Sequence, residues 1–277
     1  MNSYSPLRYP GGKANLAPYL RQIIQFMNLE ECSYFELYAG GAGAALDLLL
    51  TNTVKRIILN DADFHIFSFW KSILEHTEEF VRLIEVTPVD MNSWYLQRDI
   101  YNDMHNYSML EIGFSTFFLN RCNRSGIITK AGPIGGFRQN GQYKIDCRFN
   151  KINLIKRIEN IAARADDIEI YNEDTLEFIG QKLDRLQDER SFMYLDPPYY
   201  NKGKSLYLNF YNHEDHENLR NLLANLRDLK WMISYDDVTP IKDLYAGFNS
   251  SLHTLNYSLQ TKRKTNEFFV FSDTIKL

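Results

Sequence analysis

The sequence predicts an α/β protein whose core is a doubly wound, largely parallel sheet of seven strands with an inserted, mostly helical domain. Apolar runs of strand length alternate with segments of helix length near both ends of the chain, which is typical of parallel sheets. This alternation stops after residue 73, and we therefore expect a core from residues 1–73 and 157–277 with an insertion at residues 74–156. The run Ser191–Leu195 lacks polar alternation and predicts a central strand covered on both faces.

The predicted core begins with a helix, a strand and a glycine-rich turn. We expect the helix from Leu16 to Met27, the strand at Tyr34–Tyr38 and a second helix at Ala44–Leu50. The turn Ala39-Gly40-Gly41-Ala42-Gly43 would let a ligand lie against the backbone at a helix N-terminus, as in nucleotide-cofactor sites. The spacing differs from G-x-G-x-x-G, which does not favour a dinucleotide.

A second strand, Arg56–Leu59, ends in Asn60-Asp61-Ala62-Asp63. An acid at the tip of this strand, about 20 residues after the glycines, is placed to accept hydrogen bonds from ribose hydroxyls. One of Asp61 and Asp63 could instead cap the following helix. The combination of strand, glycine-rich turn, helix, strand and acid predicts a cofactor that contains ribose.

The predicted insertion carries a strong positive charge. We expect a helix at Trp94–Ile112 and an aromatic apolar segment at Phe114–Asn120, whereas Arg121–Asn140 has no periodicity. Between Arg121 and Arg157 there are nine Lys or Arg residues and one acid, although the whole chain has a net charge of −4. A basic block on an acidic body predicts a face that binds a polyanion, the alternative being a solvated loop region.

Aromatic and basic side chains alternate within this block. They are Phe137, Arg138, Tyr143, Lys144, Arg148 and Phe149. The pattern suits phosphate contact and base stacking, although the aromatic residues could simply pack the insertion.

The core is predicted to resume after the insertion. We expect strands at Ile168–Tyr171, Ser191–Leu195, Trp231–Tyr235, Leu252–Tyr257 and Glu267–Phe271, and helices at Thr175–Leu186 and His213–Asp228. This order predicts a sheet that ends in a hairpin. His213 and His216 fall in the first turn of a helix with no evident third ligand, so we expect no metal site.

Composition indicates a cytoplasmic location. The three cysteines, Cys32, Cys122 and Cys147, are far apart and are expected to be reduced thiols. No apolar run approaches the roughly 20 residues of a membrane span, and residues 1–10 do not resemble a signal peptide.

The segment Asp196-Pro197-Pro198-Tyr199 follows the predicted central strand, at the position where ligands bind in open α/β sheets. The prolines end the strand and hold the Pro197 carbonyl beside the Asp196 carboxylate. Two acceptors and an aromatic ring suit an exocyclic amine on a flat ring, because acceptors on both N–H bonds localise its lone pair. The alternative is a turn after a buried strand, with Tyr199 at its rim.

Near the start of the chain, Pro10-Gly11-Gly12-Lys13 places a cation beside a glycine turn. Such a lysine can clamp a carboxylate or a phosphate, or it can lie on the surface or cap the helix that follows.

The motifs occur in an order that is more specific than any one of them. They are Leu7–Lys13, Phe35–Gly43, Asn60-Asp61, Leu119-Asn120-Arg121, Asp196–Tyr199 and Glu267 with the aromatic residues after it. In this order they resemble the Dam-type DNA adenine-N6 methyltransferases. The resemblance implies a class I S-adenosyl-L-methionine-dependent, Rossmann-like fold whose insertion recognises DNA. It also implies S-adenosyl-L-methionine as methyl donor without a metal, and an adenine flipped out of double-stranded DNA as acceptor.

The resemblance also implies roles for residues. Asp196 and the Pro197 carbonyl would accept from the target amine, Tyr199 would stack on its ring, and Lys13 would lie beside this loop. Cofactor contacts are implied for Tyr9, Pro10, Gly11, Gly12 and Lys13, for Glu36, Leu37, Tyr38, Ala39, Gly40, Gly41 and Gly43, and for Asp61, Asp174 and Asp196. DNA contacts are expected from Arg121, Asn123, Arg124, Arg138, Lys144 and Arg148.

One departure limits what the resemblance implies. After Leu119-Asn120-Arg121 many relatives carry an aromatic residue and then Asn-Gly, whereas this chain has Cys122-Asn123-Arg124-Ser125-Gly126, so GATC specificity is not transferred. The sequence leaves open a cognate restriction endonuclease, and we expect a monomer in solution. The alternatives are a methyltransferase acting on RNA adenine or a protein amide, and a DNA-binding relative without turnover.

Overall fold

A computed structural model describes residues 4–8, 13–200, 211–258 and 262–276, with side chains described except at 255–258 and 262–265. The chain forms two compact units. Of the described residues, those within 13–62 and 167–276 belong to the first unit, and those within 4–8 and 63–166 belong to the second. The longer segment of the second unit spans residues 63–166, and the insertion predicted at residues 74–156 falls within it.

The first unit contains a seven-stranded sheet with the order β3-β2-β1-β4-β5-β7-β6. The strands are β1 (Ser33–Leu37), β2 (Arg56–Asn60), β3 (Ile168–Tyr171), β4 (Ser191–Leu195), β5 (Trp231–Asp236), β6 (Asn249–Ser258) and β7 (Lys262–Phe271). Strands β1 to β5 pair in parallel, and β7 pairs antiparallel with both β5 and β6. The predicted α/β fold, with its terminal hairpin, is confirmed.

Strand β4 lies at the centre of the sheet, as predicted, and all five of its residues are buried. The chain winds outward in opposite directions from β1 and β4, which pair in parallel, and ligands bind beyond the carboxyl ends of strands at such a switch point. The register aligns Leu37 with both Asn60 and Leu195. The residues that follow these three therefore emerge at the same edge of the sheet.

The helices of the described residues are numbered in chain order. They are α1 (Ala17–Phe26), α2 (Gly43–Leu50), α3 (Phe64–Glu75), α4 (Thr77–Val86), α5 (Met91–Asn102), α6 (Met109–Cys122), α7 (Lys151–Ala162), α8 (Thr175–Gln181), α9 (Leu183–Leu186), α10 (His213–Ala224) and α11 (Thr239–Leu244). The helix predicted at Thr175–Leu186 is divided into α8 and α9 at Lys182. None of these helices combines the length and the apolar character needed to cross a bilayer.

The apolar core of the first unit lies on the sheet. The buried ring of Trp231 on β5 packs with the leucine stripe of α10, of which Leu219 and Leu223 are fully buried. Burying one such side chain stabilises the fold by roughly 1.5–3 kcal/mol, so this stripe fixes α10 against the sheet.

In the second unit α3 to α7 lie around an aromatic core, whereas residues 123–150 are mostly turns, bends and loops. Phe69 stacks on Phe117 at 5.9 Å between ring centroids, and Phe80 meets both Phe114 and Phe117 edge to face. The single helix predicted at Trp94–Ile112 is wrong, because the chain leaves helix between α5 and α6. The side chains of Ser108 and Glu111 form a capping box that starts α6, which then continues through the predicted aromatic segment.

Candidate active site

The glycine-rich turn between β1 and α2 has an unusual backbone. Tyr38, Gly40 and Ala42 have φ angles of 70°, 46° and 45°, and the left-handed region is unfavourable for the two residues that have a Cβ. The turn is held to the end of β2, because the Gly40 N–H donates to Asp61 Oδ2 at 2.7 Å. Asp61 therefore lies beside the glycines, as expected for a residue at this strand tip.

Glu36 is buried under the same turn. Its carboxyl accepts from the backbone N–H of Ala45 at 2.9 Å and from the Tyr34 hydroxyl at 3.2 Å. Burial raises the pKa of Glu36 to about 8, although the Ala45 hydrogen bond opposes the shift. Glu36 thus fixes the first turn of α2 to β1.

Lys13 joins the two ends of the chain at the carboxyl end of β4. Its Nζ lies 2.5 Å from the Tyr199 hydroxyl, 2.8 Å from Glu267 Oε1 and 3.2 Å from Asp196 Oδ1. The Tyr199 hydroxyl also donates to Glu267 Oε1 at 2.8 Å. Because Lys13 and Glu267 are both buried, this network holds Tyr199 and Asp196 in a fixed arrangement.

The Asp196 carboxylate is held by one of its two oxygens. Oδ1 accepts from Lys13 and from the Ser234 hydroxyl at 3.1 Å, and Ser234 is in turn 2.7 Å from the Tyr194 hydroxyl. Within the described residues Oδ2 has no hydrogen bond, and the side chain is 19% exposed. The arrangement leaves one fixed acceptor for a ligand beside Pro197, which is buried.

The environment of Asp196 favours its neutral form more than water does. Burial raises the pKa of Asp196 to about 6, with a smaller opposing effect from the Lys13 charge and an added rise from Glu267. Above that pH two carboxylates face one ammonium group, so this part of the site carries excess negative charge.

The turn after the prolines is fixed as well. The Tyr200 N–H donates to Asp236 Oδ1 at the end of β5, at 3.1 Å, and the Tyr200 hydroxyl lies 3.1 Å from His213 Nδ1. The hydroxyl groups of Tyr38 and Tyr211 lie 2.8 Å apart. The glycine-rich turn and the segment before α10 are thus joined.

Two acids near the strand tips cap helices. The Asp63 side chain accepts from the His65 N–H at the start of α3. Asp174, exposed beyond β3, accepts from the N–H groups of Leu176 and Glu177 at the start of α8. Of the two acids considered as caps after β2, Asp63 has this role, and Asp61 contacts the glycine turn.

The remaining predicted cofactor residues divide into two groups. Leu37 ends β1, Ala39, Gly40 and Gly41 are buried in the turn, and Gly43 is the first residue of α2. Tyr9, Pro10, Gly11 and Gly12 lie outside the described residues.

The residues predicted to contact DNA belong to the second unit and differ in exposure. Arg124, Arg138, Lys144 and Arg148 are exposed, and Arg121 is half-buried. Asn123 is fully buried instead. Its amide donates to the carbonyls of Ile127 and Ile128 and accepts from the Trp94 indole N–H at 2.8 Å, so it holds the turn after α6.

The aromatic residues among these basic positions differ too. Phe149 packs on Phe117 and Phe118 in the core, whereas Phe137 and Tyr143 are exposed. Packing therefore accounts for Phe149, whereas base stacking by Phe137 and Tyr143 stays a prediction.

Sequence reasoning missed the roles of Glu267, Ser234 and Tyr194 at this site. Glu267 was noted as part of a motif, but its contact with Lys13 spans 254 positions along the chain. A serine inside the apolar strand Trp231–Asp236 was a readable signal, because a buried hydroxyl requires a partner.

This chain is similar to known methyltransferases. The type II methyltransferase M.MjaIII of Methanocaldococcus jannaschii is 25% identical over 270 residues, which cover 88% of each chain. Two solved structures of the rRNA methyltransferase aviRa from Streptomyces viridochromogenes cover 96% of this chain and 88% of theirs, with a TM-score of 0.41 and identities of 12% and 11%. The model of the D12 class N6 adenine-specific DNA methyltransferases matches residues 9–259, and this chain therefore belongs to that family.

Proposed function

We propose that the protein transfers a methyl group from S-adenosyl-L-methionine to the N6 amine of an adenine flipped out of a specific site in double-stranded DNA. The observation that supports this most directly is the Asp196 carboxylate, which is held through Oδ1 and leaves Oδ2 open at the carboxyl end of β4. The membership of the D12 class supplies the target atom and the kind of nucleic acid.

The residues around the glycine turn fit the proposed cofactor. The backbone of Gly40 and Gly41 allows close approach, Asp61 lies beside them for the ribose, and exposed Asp174 lies beyond the next strand for the adenine. S-adenosyl-L-methionine would supply an electrophilic methyl group on a sulfonium cation. Asp196 and Glu267 supply two carboxylates against the one ammonium group of Lys13, and this excess of negative charge favours a cation of this kind.

The acceptors on Asp196 and Pro197 would activate the target amine. With Asp196 Oδ2 on one N–H and the Pro197 carbonyl on the other, the nitrogen lone pair points away from the ring and toward the methyl group. Tyr199, whose hydroxyl is fixed by Lys13 and Glu267, would stack on the adenine. The amine becomes acidic only as the new bond forms, so its proton can leave afterwards to Asp196 or to water.

The exposed basic residues of the second unit would hold the DNA. Arg124, Arg138, Lys144 and Arg148 face solvent and can reach phosphates or bases, and exposed Phe137 and Tyr143 can stack. A site-specific adenine DNA methyltransferase of this type could act alone or with a cognate restriction endonuclease, and we expect it to be a cytoplasmic monomer.

The decisive test is Asp196→Ala. Methyl incorporation into duplex DNA from radiolabelled S-adenosyl-L-methionine should be abolished, while the cofactor affinity measured by calorimetry stays within about tenfold, because most cofactor contacts come from other loops. Glu189→Ala, at the exposed amino end of β4, is the matched control and should be fully active.

Three results would contradict the proposal. Retained turnover in Asp196→Ala would reject the role of that residue. Incorporation into RNA or protein but not DNA by the wild-type protein would change the acceptor. DNA binding without incorporation at any sequence would identify a relative that lacks turnover.

A further inference from the structure

Four arginines of the second unit converge on its N-terminal segment and the end of α6. They are Arg8, Arg121, Arg148 and Arg157. Three of them bond to backbone carbonyls: Arg121 Nε to Arg148 O at 2.8 Å, Arg8 Nη1 to Asn123 O at 3.1 Å and Arg157 Nη1 to Ser5 O at 2.9 Å. These contacts bring together residues that lie as far as 152 positions apart in the sequence.

The cluster contains no compensating acid. Across the ranges that the structure describes, none of the four guanidinium groups forms an ion pair with a carboxylate. Asp146, the one acid of the basic block, is exposed and makes no ion pair with them. Four positive charges therefore share a small region, and such a region gains stability when an anion binds.

The electrostatics of the half-buried members agree with this geometry. Burial lowers the pKa of Arg121 to about 9, and the charges of Arg8 and Arg157 add to the shift. Burial also lowers the pKa of Arg8, to which the charge of Arg148 contributes. The charged forms of Arg8 and Arg121 are thus destabilised by their surroundings in the free protein.

The backbone around the cluster is closely packed. A Cβ on Gly126, which has a φ of +75°, would lie 2.0 Å from the Arg8 carbonyl oxygen, so only glycine fits there. Asn120 fixes the same segment, since its side chain accepts from the Arg8 N–H at 2.7 Å and donates to the Arg8 carbonyl at 3.0 Å. Arg8 is thereby held in place before any ligand arrives, which reduces the entropy lost on binding.

We infer that Arg8, Arg121, Arg148 and Arg157 form a phosphate site that holds the backbone of the duplex. The inference rests on the proposed function and extends it, because Arg8 and Arg157 were not among the residues predicted to contact DNA. Guanidinium groups suit phosphate, which they can bind with two parallel N–H bonds. Arg148 is exposed and makes no side-chain hydrogen bond in the described residues, so it is the member most open to the ligand.

The test compares Arg148→Ala with Arg82→Ala, which removes an exposed arginine from α4 of the same unit. The affinity of each variant for duplex DNA is measured by fluorescence anisotropy from 50 to 200 mM KCl. Loss of one phosphate contact should reduce the slope of log affinity against log salt concentration by about 0.9. The fall in affinity between 50 and 200 mM KCl should therefore be about threefold smaller for Arg148→Ala than for the wild-type protein. The loss should be equal for specific and unrelated sequences, and Arg82→Ala should keep the wild-type slope.

A stability measurement gives a second, independent readout. Removing one of four like charges should raise the thermal midpoint of free Arg148→Ala at low salt, whereas Arg82→Ala should leave it unchanged. An unchanged salt slope in Arg148→Ala would overturn the inference. This would hold even if inorganic phosphate alone stabilised the wild-type protein. Methyl incorporation by the wild-type protein is measured in parallel, so that a failure of the proposed function is recognised separately.

Discussion

Ser234→Ala tests whether the hydroxyl beside Asp196 sets the protonation of that carboxylate. Ser234 is fully buried on β5, and its Oγ lies 3.1 Å from Asp196 Oδ1. A hydrogen bond to a charged group contributes about 1.5–3 kcal/mol, and one pKa unit corresponds to about 1.4 kcal/mol. Because this bond favours the ionised form, its loss should raise the pKa of Asp196 from about 6 by roughly one unit.

The expected effect depends on pH in a defined direction. In its proposed role Asp196 would accept from the target amine with full strength only when ionised, so kcat/KM should fall as the pH falls through the pKa of Asp196 in the free enzyme. A rise of about one unit would reduce the ionised fraction at pH 6.5 about threefold and leave activity at pH 8.5 nearly unchanged. The measurement is kcat/KM for S-adenosyl-L-methionine between pH 5 and 9, with radiolabelled methyl transfer to duplex DNA.

Two variants control for loss of packing. Ser191→Ala removes a buried hydroxyl at the other end of β4, where Oγ donates to the Arg185 carbonyl, and should leave the pH profile unchanged. In Ser234→Ala the Tyr194 hydroxyl would lose its partner, and adding Tyr194→Phe removes that hydroxyl. The double variant should regain stability but keep the pH profile of Ser234→Ala. If kcat/KM fell at the same acidic pH in the wild-type protein and in Ser234→Ala, the reasoning would be refuted.

Two further predictions concern buried polar groups. The pKa of Glu36 is raised to about 8, so the folded protein holds this proton more tightly than the unfolded chain does. The free energy of unfolding should therefore fall as the pH rises from about 4.5 to 8. Glu36→Gln should reduce that fall, measured by urea unfolding at pH 5 and pH 8.5. A decline of equal size in the variant would reject burial of Glu36 as its cause. Asn123→Ala should lower the free energy of unfolding by about 1–3 kcal/mol, because the Trp94 N–H loses its buried acceptor. If Asn123→Ala instead weakened DNA binding with the stability unchanged, Asn123 would be a DNA contact.

The sequence predicted the sheet well because each strand is a local signal. The apolar run Ser191–Leu195, for example, is continuous in the chain, and Pro197 and Pro198 mark where this strand ends. The family resemblance, rather than any local pattern, implied that Lys13 lies beside the loop that contains Asp196. The strands depend on short-range patterns, which one sequence displays directly.

The contacts that complete the site depend on tertiary structure. Lys13 and Glu267 are near opposite ends of the chain, and no local pattern shows that they pair. The burial of Asn123 was missed for the same reason, since Trp94 comes from another helix. The break before α6 was different, because Ser108 and Glu111 have the spacing of a capping box and could have been read from the sequence.

The two carboxylates around Lys13 have a consequence for turnover. In the proposed reaction the product S-adenosyl-L-homocysteine would have an uncharged sulfur, and the attraction that favours the sulfonium cation would be lost. The site would then hold the product less strongly than the methyl donor, so the charge that would attract the donor would also assist release of the product. Below a pH of about 6, where Asp196 gains a proton, this discrimination between the two sulfur species should weaken.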